Sequence, residues 1–479
     1  MAAQRSKLYP LVIIGLVCMT LTTEIAQADT GGWATPVNLS NSPNTWSAEA
    51  QLAADSLGGV HIVWGEDTVD ATSTRSQTRM PSDTLYYASN AGTGWSEPID
   101  IIISPEGKFI FPVRLRAHQG MLYLLWVNDG ALSVSQAAIG QADSATDWQS
   151  FDIPTPEQVR YADFVIYGDD TLLITYTTLD GAVYSAVVSF PTYLVKRESL
   201  IWRPDDPSSF STVTLRTDVG DDGVWHVTWT ITAEELDWNS YAVAYTRSLD
   251  EGLTWQDDWQ IADNGDDATV ISSGSDVYVL WNRSAEGGSR PFRYSANGGA
   301  TWYDPVYLYP GYGGRTGFPG VDFDSTGRLH RLSSTFYGVG LYHSSAIDDQ
   351  WTDPLPIIAP GDPTGERPTF VVNSGNQLNA AWLDFSTGDI WYTFKITDAP
   401  ELPPVPFRAD PVTTQSDGPA DQQTAPSEET TPTPLPPSVT VNSTRQPNSS
   451  TASPVLVGGL LSLGVVLVVV IVQRRPRRR

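Results

Sequence analysis

The chain has 479 residues, with 28 Lys and Arg against 55 Asp and Glu, a net charge of −27. Setting aside Arg5, Lys7, Glu24 and the five arginines of the C-terminal tail leaves a still more acidic molecule, about −33, which repels polyanions and excludes nucleic acid as a partner. With one cysteine there is no disulfide framework, so stability must come from an apolar core, and a chain this long can build one.

Residues 1–28 read as a signal peptide. Arg5 and Lys7 precede an apolar run from Leu8 to Leu21, and Ala26-Gln27-Ala28 is a small-x-small cleavage site before Asp29. Cys18 lies inside this segment, so the mature chain has no cysteine.

Residues 29–398 repeat one grammar: an alternating strand, a Gly-containing turn, then a strand that closes on an aromatic residue. Ala50–Ala54, the turn Asp55–Gly59 and Val60-His61-Ile62-Val63-Trp64 are the first instance. The closing aromatics are Trp64, Trp126, Tyr176, Trp229, Trp281 and Trp382, and a weaker unit around Leu329–Thr335 fills the remaining gap. A period of roughly fifty residues predicts an all-β propeller of seven blades, with six as the fallback because the unit around Ala162–Pro204 is the least regular. Units end in an outer strand such as Gly94-Trp95-Ser96-Glu97-Pro98 or Trp351-Thr352-Asp353-Pro354. The mature N-terminus has the same style at Gly32-Trp33-Ala34-Thr35-Pro36-Val37, and the last unit lacks one. The N-terminal strand is therefore expected to complete the last blade beside Trp391–Ile396 and close the ring.

Two octapeptides share the form Ser-x-Asx-x-Gly-x-Thr-Trp: Ser248, Asp250, Gly252, Thr254 and Trp255, then Ser295, Asn297, Gly299, Thr301 and Trp302 about 47 residues on. This pattern resembles the Asp box (bacterial neuraminidase repeat) of the sialidase-like propeller superfamily. The resemblance implies a structural turn between the third and fourth strands of a blade, on the outer rim and away from any catalytic pocket. It also implies a site built on arginines from separate blades, with a tyrosine–glutamate pair and an aspartate. Arginines recur near the starts of the innermost strands at Arg114, Arg116, Arg160, Arg216, Arg315 and Arg367. The candidates for such a cluster are Arg160, Arg315 and Arg367, with Glu366, Tyr161 and Tyr312 beside them; the competing reading is that the arginines neutralise an acidic channel. The family's first-blade Arg-Ile-Pro motif is absent, and that blade opens Thr45-Trp46-Ser47-Ala48-Glu49-Ala50.

Asp218–Gly223 starts like a calcium loop, but its twelfth position is Trp229, so a hairpin turn is favoured. The five histidines have no metal-ligand spacing and are read as core or edge residues. No cofactor is expected, calcium being the one weak candidate.

Residues 399–454 form a Pro/Thr/Ser-rich stalk, 455–473 a transmembrane helix and 474–479 a basic cytoplasmic tail. The expected molecule is a single-pass cell-surface protein with an extracellular propeller that binds glycans or acidic sugars. The alternatives are a sialidase-type hydrolase and a protein-interaction scaffold.

Overall fold

The computed structural model describes residues 32–406 apart from residues 44, 69–81, 105–107, 207–209, 234–239, 284–287, 311–316, 336–339, 348–349 and 359–364. The expected signal peptide, most of the stalk, the membrane helix and the basic tail lie outside the described residues. Among the described residues no helix is long and apolar enough to cross a membrane.

The chain forms seven antiparallel sheets, each a blade with consecutive strands paired in order. The inner strands, in blade order, are Trp46–Ala54, Ile110–His118, Val159–Tyr167, Phe210–Val219, Asp266–Ser273, Gly320–Phe323 and Glu366–Asn373. Each second strand is nearly all buried, as in Val60–Asp67, Thr171–Thr178 and Gln377–Asp384, because its two faces pack against the neighbouring blades. All six aromatics that close the second strands are buried, and Leu329–Thr335 is the second strand of blade 6. The irregular third unit is a complete four-stranded blade ending in Leu194–Trp202. The outer edge of blade 6 is split into Gln350–Trp351 and Leu355–Pro356, both paired with Gly340–Ile347; Pro354 has no N–H for a continuous ladder.

The ring closes as expected. Val37–Asn38 pairs with Asp389–Ile396, Val37 opposite Tyr392 and Asn38 opposite Trp391. The C-terminal end of the ring runs further than expected. Past Ala399, which is buried, Leu402 N donates to Ser374 O, Ser325 Oγ to Pro400 O, and Val405 N to Ser56 O. Residues 400–405 thus cross the hairpin turns of blades 6, 7 and 1, so the stalk boundary shifts beyond residue 398.

One contact recurs at every blade boundary. The connection from third to outer strand carries an aromatic residue that reaches the third strand of the preceding blade. Trp95 packs on Tyr392, Trp148 on Tyr87, Trp302 on Tyr245 and Trp351 on Phe292, with centroids 4.8–5.5 Å apart. Trp33 packs on His343 at 5.6 Å, Trp255 donates to Ser185 Oγ at 3.1 Å, and in blade 3 Tyr193 takes the place of tryptophan and bonds Gln136.

The two octapeptides supply two of these connections. In the first, Asp250 Oδ1 accepts Thr254 N at 2.8 Å and Ser248 Oγ accepts Gly252 N at 2.8 Å. Gly252 has φ +73°, and a Cβ there would meet the Trp225 ring at 2.8 Å. Asn297, Ser295, Thr301 and Gly299 repeat the arrangement.

Four of the five histidines sit beneath these aromatics. His61 bonds Tyr87 at 2.8 Å, His226 bonds Tyr245 at 2.7 Å, and His330 bonds His343 at 3.0 Å; in blade 7 Asn379 accepts from Tyr392. They are fully or nearly buried, as core residues. Burial pushes His226 down to about 4 and His343 well below its ordinary value. A histidine folded in its neutral form contributes stability that is fully present above its unfolded value near 6.5 and lost as pH falls toward the folded value. Urea unfolding at pH 7.5 and 4.5 should therefore show a loss of about 2–3 kcal/mol from His226 alone. His226→Asn, which copies the Asn379–Tyr392 pair, should remove that part of the acid sensitivity; an unchanged pH profile would refute the assignment.

Candidate functional site

The channel along the ring axis is lined by the seven inner strands. Six of them carry a bulge within their first residues: between Ala48 and Gln51, Pro112 and Arg114, Val159 and Tyr161, Thr212 and Thr214, Asp266 and Thr269, and Glu366 and Thr369. A bulge breaks the alternation of side chains and re-aims one of them. Three bulges hold a charged residue with left-handed backbone, Glu49, Asp267 and Arg367 at φ 52°, 48° and 49°. Such a conformation costs a non-glycine residue of order 1–3 kcal/mol and clusters where structure serves a ligand. Arg367 pairs with Glu49 across the closing seam. Glu49 is the main reason Arg367 lies above its ordinary value, with Asp267 and Tyr161 adding to it. Gly317, at φ +98°, passes so close that a Cβ would meet the Arg367 backbone at 2.8 Å. Arg216 lies over the Phe318 ring and donates to Leu215 O, and burial lowers it to about 9.

Deeper in the channel, Arg114 grips Asp163 through Nε at 2.9 Å and Nη2 at 3.2 Å. Asp163 also accepts Thr217 N at 3.0 Å from the next blade. Two more carboxylates join neighbouring inner strands in this way, Asp218 to Ser272 N and Asp322 to Val372 N. Burial alone would raise Asp163, but Arg114 and Arg216 hold it below its ordinary value. Asp322 has no such arginine in contact, and burial pushes it up to about 6.

The sequence candidates are brought together in part, and Arg114, Arg116 and Arg216, expected near the starts of their inner strands, stand instead in the middle or toward the end of them. Arg367 and Glu366 open the blade 7 inner strand, and burial raises Glu366 despite Arg367 beside it. Arg160 and Tyr161 form the blade 3 bulge, the Arg160 guanidinium 6.0 Å from the Tyr161 ring centroid. Arg315 and Tyr312 lie outside the described residues. Sequence reasoning missed Asp163, Asp267, Phe318 and the role of Glu49. The readable signal for Glu49 was the first blade itself, where a carboxylate stands in the stretch that the sialidase pattern would give an arginine. Among the described residues no group of three or more His, Cys, Asp or Glu is disposed to hold a metal. Of Asp218–Gly223, the first two residues end the blade 4 inner strand and Gly220–Gly223 is the hairpin turn, in which Val224 N donates to Asp222.

No protein-family model matches the chain, and no curated protein matches it. Solved structures do. A lectin from Burkholderia pseudomallei superposes with a TM-score of 0.51 at 16% identity, over 74% of this chain and 98% of the lectin. A Hadza microbial sialidase gives 0.42 at 12% identity, over 73% and 66%. A leech intramolecular trans-sialidase gives 0.41 at 11%, over 76% and 69%. At these identities the likeness to the lectin concerns the fold, a propeller.

Proposed function

We propose that this chain is a cell-surface module that binds extracellular glycans at the bulge-ringed mouth of its channel, carried to the membrane surface by the expected C-terminal helix. The carrying observation is the ring of inner-strand bulges, three of them with left-handed backbone at Glu49, Asp267 and Arg367, where Arg367 pairs with Glu49 and lies within electrostatic reach of Asp267. Paired charges and the Phe318 face offer what sugars use: fixed donors and acceptors beside an apolar ring. The lectin of the same fold is a precedent for a propeller that binds without cleaving.

The sialidase-type reading fits this mouth less well. That chemistry needs arginines open to a sugar carboxylate, and here Arg114 and Arg367 already hold carboxylates of the chain itself. The test is a glycan array probed with the full chain in a detergent without sugar headgroups, together with a fluorogenic sialoside assay. Glycan binding without turnover is expected, with Arg367→Ala weakening binding at least tenfold and Glu49→Gln weakening it less. Sialoside turnover abolished by Arg367→Ala would overturn the binding reading.

A further inference from the structure

The opposite end of the channel, where the inner strands run into their hairpin turns, holds a charge that the bulge-ringed mouth does not use. Arg116 stands two residues before the end of the blade 2 inner strand, while Asp218 and Asp322 are each the last residue but one of theirs. Burial and the like charge of Arg114, two residues back on the same strand, lower Arg116, and its guanidinium is also within electrostatic reach of Asp163, Asp218 and Asp322, on blades 3, 4 and 6. A side chain of blade 2 reaches all three only near the axis. It nonetheless forms no ion pair with a described residue, and its buried Nε has no hydrogen-bond partner. Arg114, Arg216 and Arg367 differ, each being held by Asp163, Leu215 O or Glu49. The two carboxylates also have capacity left. A carboxylate offers about four acceptor positions. Asp322 uses its own for Val372 N and Phe323 N, and Asp218 for Ser272 N, Ser272 Oγ and Val219 N.

We propose that Arg116, Asp218 and Asp322 form a second binding site, for a neutral polyhydroxylated ligand such as a hexose unit, at the turn end of the channel. An anion there would face two carboxylates, and a cation would face the guanidinium. Neighbouring hydroxyls satisfy both sides, accepting from the arginine fork and donating to the carboxylates. The raised values of Asp322 and Asp218, caused first by burial, agree with carboxylates short of donors. The site rests on the glycan-binding reading only in its choice of ligand, and it shares none of these three residues with the mouth.

The test is calorimetric titration of the full chain, in the same detergent, with glucose, galactose and mannose, and with glucuronate as the acidic control. Saturable binding of at least one neutral hexose is expected, stronger than that of glucuronate. Arg116→Met should weaken it at least tenfold, and Asp322→Asn, which keeps the side chain's shape and serves if Arg116→Met fails to fold, at least threefold. Neither change should alter the array binding that depends on Arg367. Absence of hexose binding, binding insensitive to both changes, or a preference for glucuronate lost in Arg116→Met would each overturn the proposal. If array binding survives in those cases, the mouth reading stands without it.

Discussion

Removal of residues 29–38 is expected to prevent formation of a stable ring. The last blade has three strands of its own, and Val37–Asn38 supplies the fourth. Around that short strand, Ala34 N donates to Phe394 O at 2.9 Å, Leu39 N to Ile390 O at 2.8 Å, and Thr393 Oγ1 to Ala34 O at 2.6 Å. Trp33 adds the larger share. It is 3% exposed and packs with Leu332, Leu341, Ile357, Phe370 and Trp382, so it joins blades 6 and 7. Truncating a core tryptophan to alanine costs about 3–5 kcal/mol. Trp33→Ala should therefore consume a large fraction of a stability that is about 5–15 kcal/mol for a typical domain. The truncated chain loses the same packing and leaves Asp389–Ile396 an unpaired edge, open to association with other copies. Urea unfolding and size-exclusion chromatography check both effects. A truncated protein with the full-length unfolding midpoint and a monomeric profile would show that the clasp is dispensable.

The clasp was legible because its signature is local. Gly32–Val37 carries the outer-strand style of the other units, and the final unit lacks one. The blade count was legible for the same reason, since six of the seven second strands close on a buried aromatic and the seventh falls in the gap that their spacing leaves. The channel was legible only in its arginines. Asp163 lies inside Val159–Tyr167, where nothing in the local pattern distinguishes it from a solvent-facing strand residue; its partners Arg114 and Thr217 are 49 and 54 residues away. Bulges are equally hidden, because one extra residue shifts the side-chain alternation without leaving a composition of its own. The histidines show the limit from the other side. His61, His226 and His330 occupy like positions at the starts of second strands, yet their role beneath the inter-blade aromatics needs the third strand's register to be seen.

Asp163→Ala is expected to be the most damaging single substitution in the channel. The carboxylate has no exposed surface, and it holds both the Arg114 fork and the Thr217 amide of blade 4. Removing one member of a buried ion pair typically costs about 3–5 kcal/mol, because the remaining charge is left without its partner. Part of that figure is softened here, since the Arg114 side chain keeps 23% of its surface and can draw water to the stranded guanidinium. A loss of about 3 kcal/mol is the reasonable expectation. Asp163→Asn should cost less, because the amide oxygen can still accept from Thr217 while the charge pairing is gone. The decisive measurement is a double-mutant cycle by urea unfolding. Arg114→Met in the Asp163→Ala background should restore stability relative to Asp163→Ala alone, by removing the unpaired charge. Strict additivity of the two changes would mean that Asp163 acts through the blade 3 to blade 4 hydrogen bond, with the arginine contributing nothing to holding the channel together.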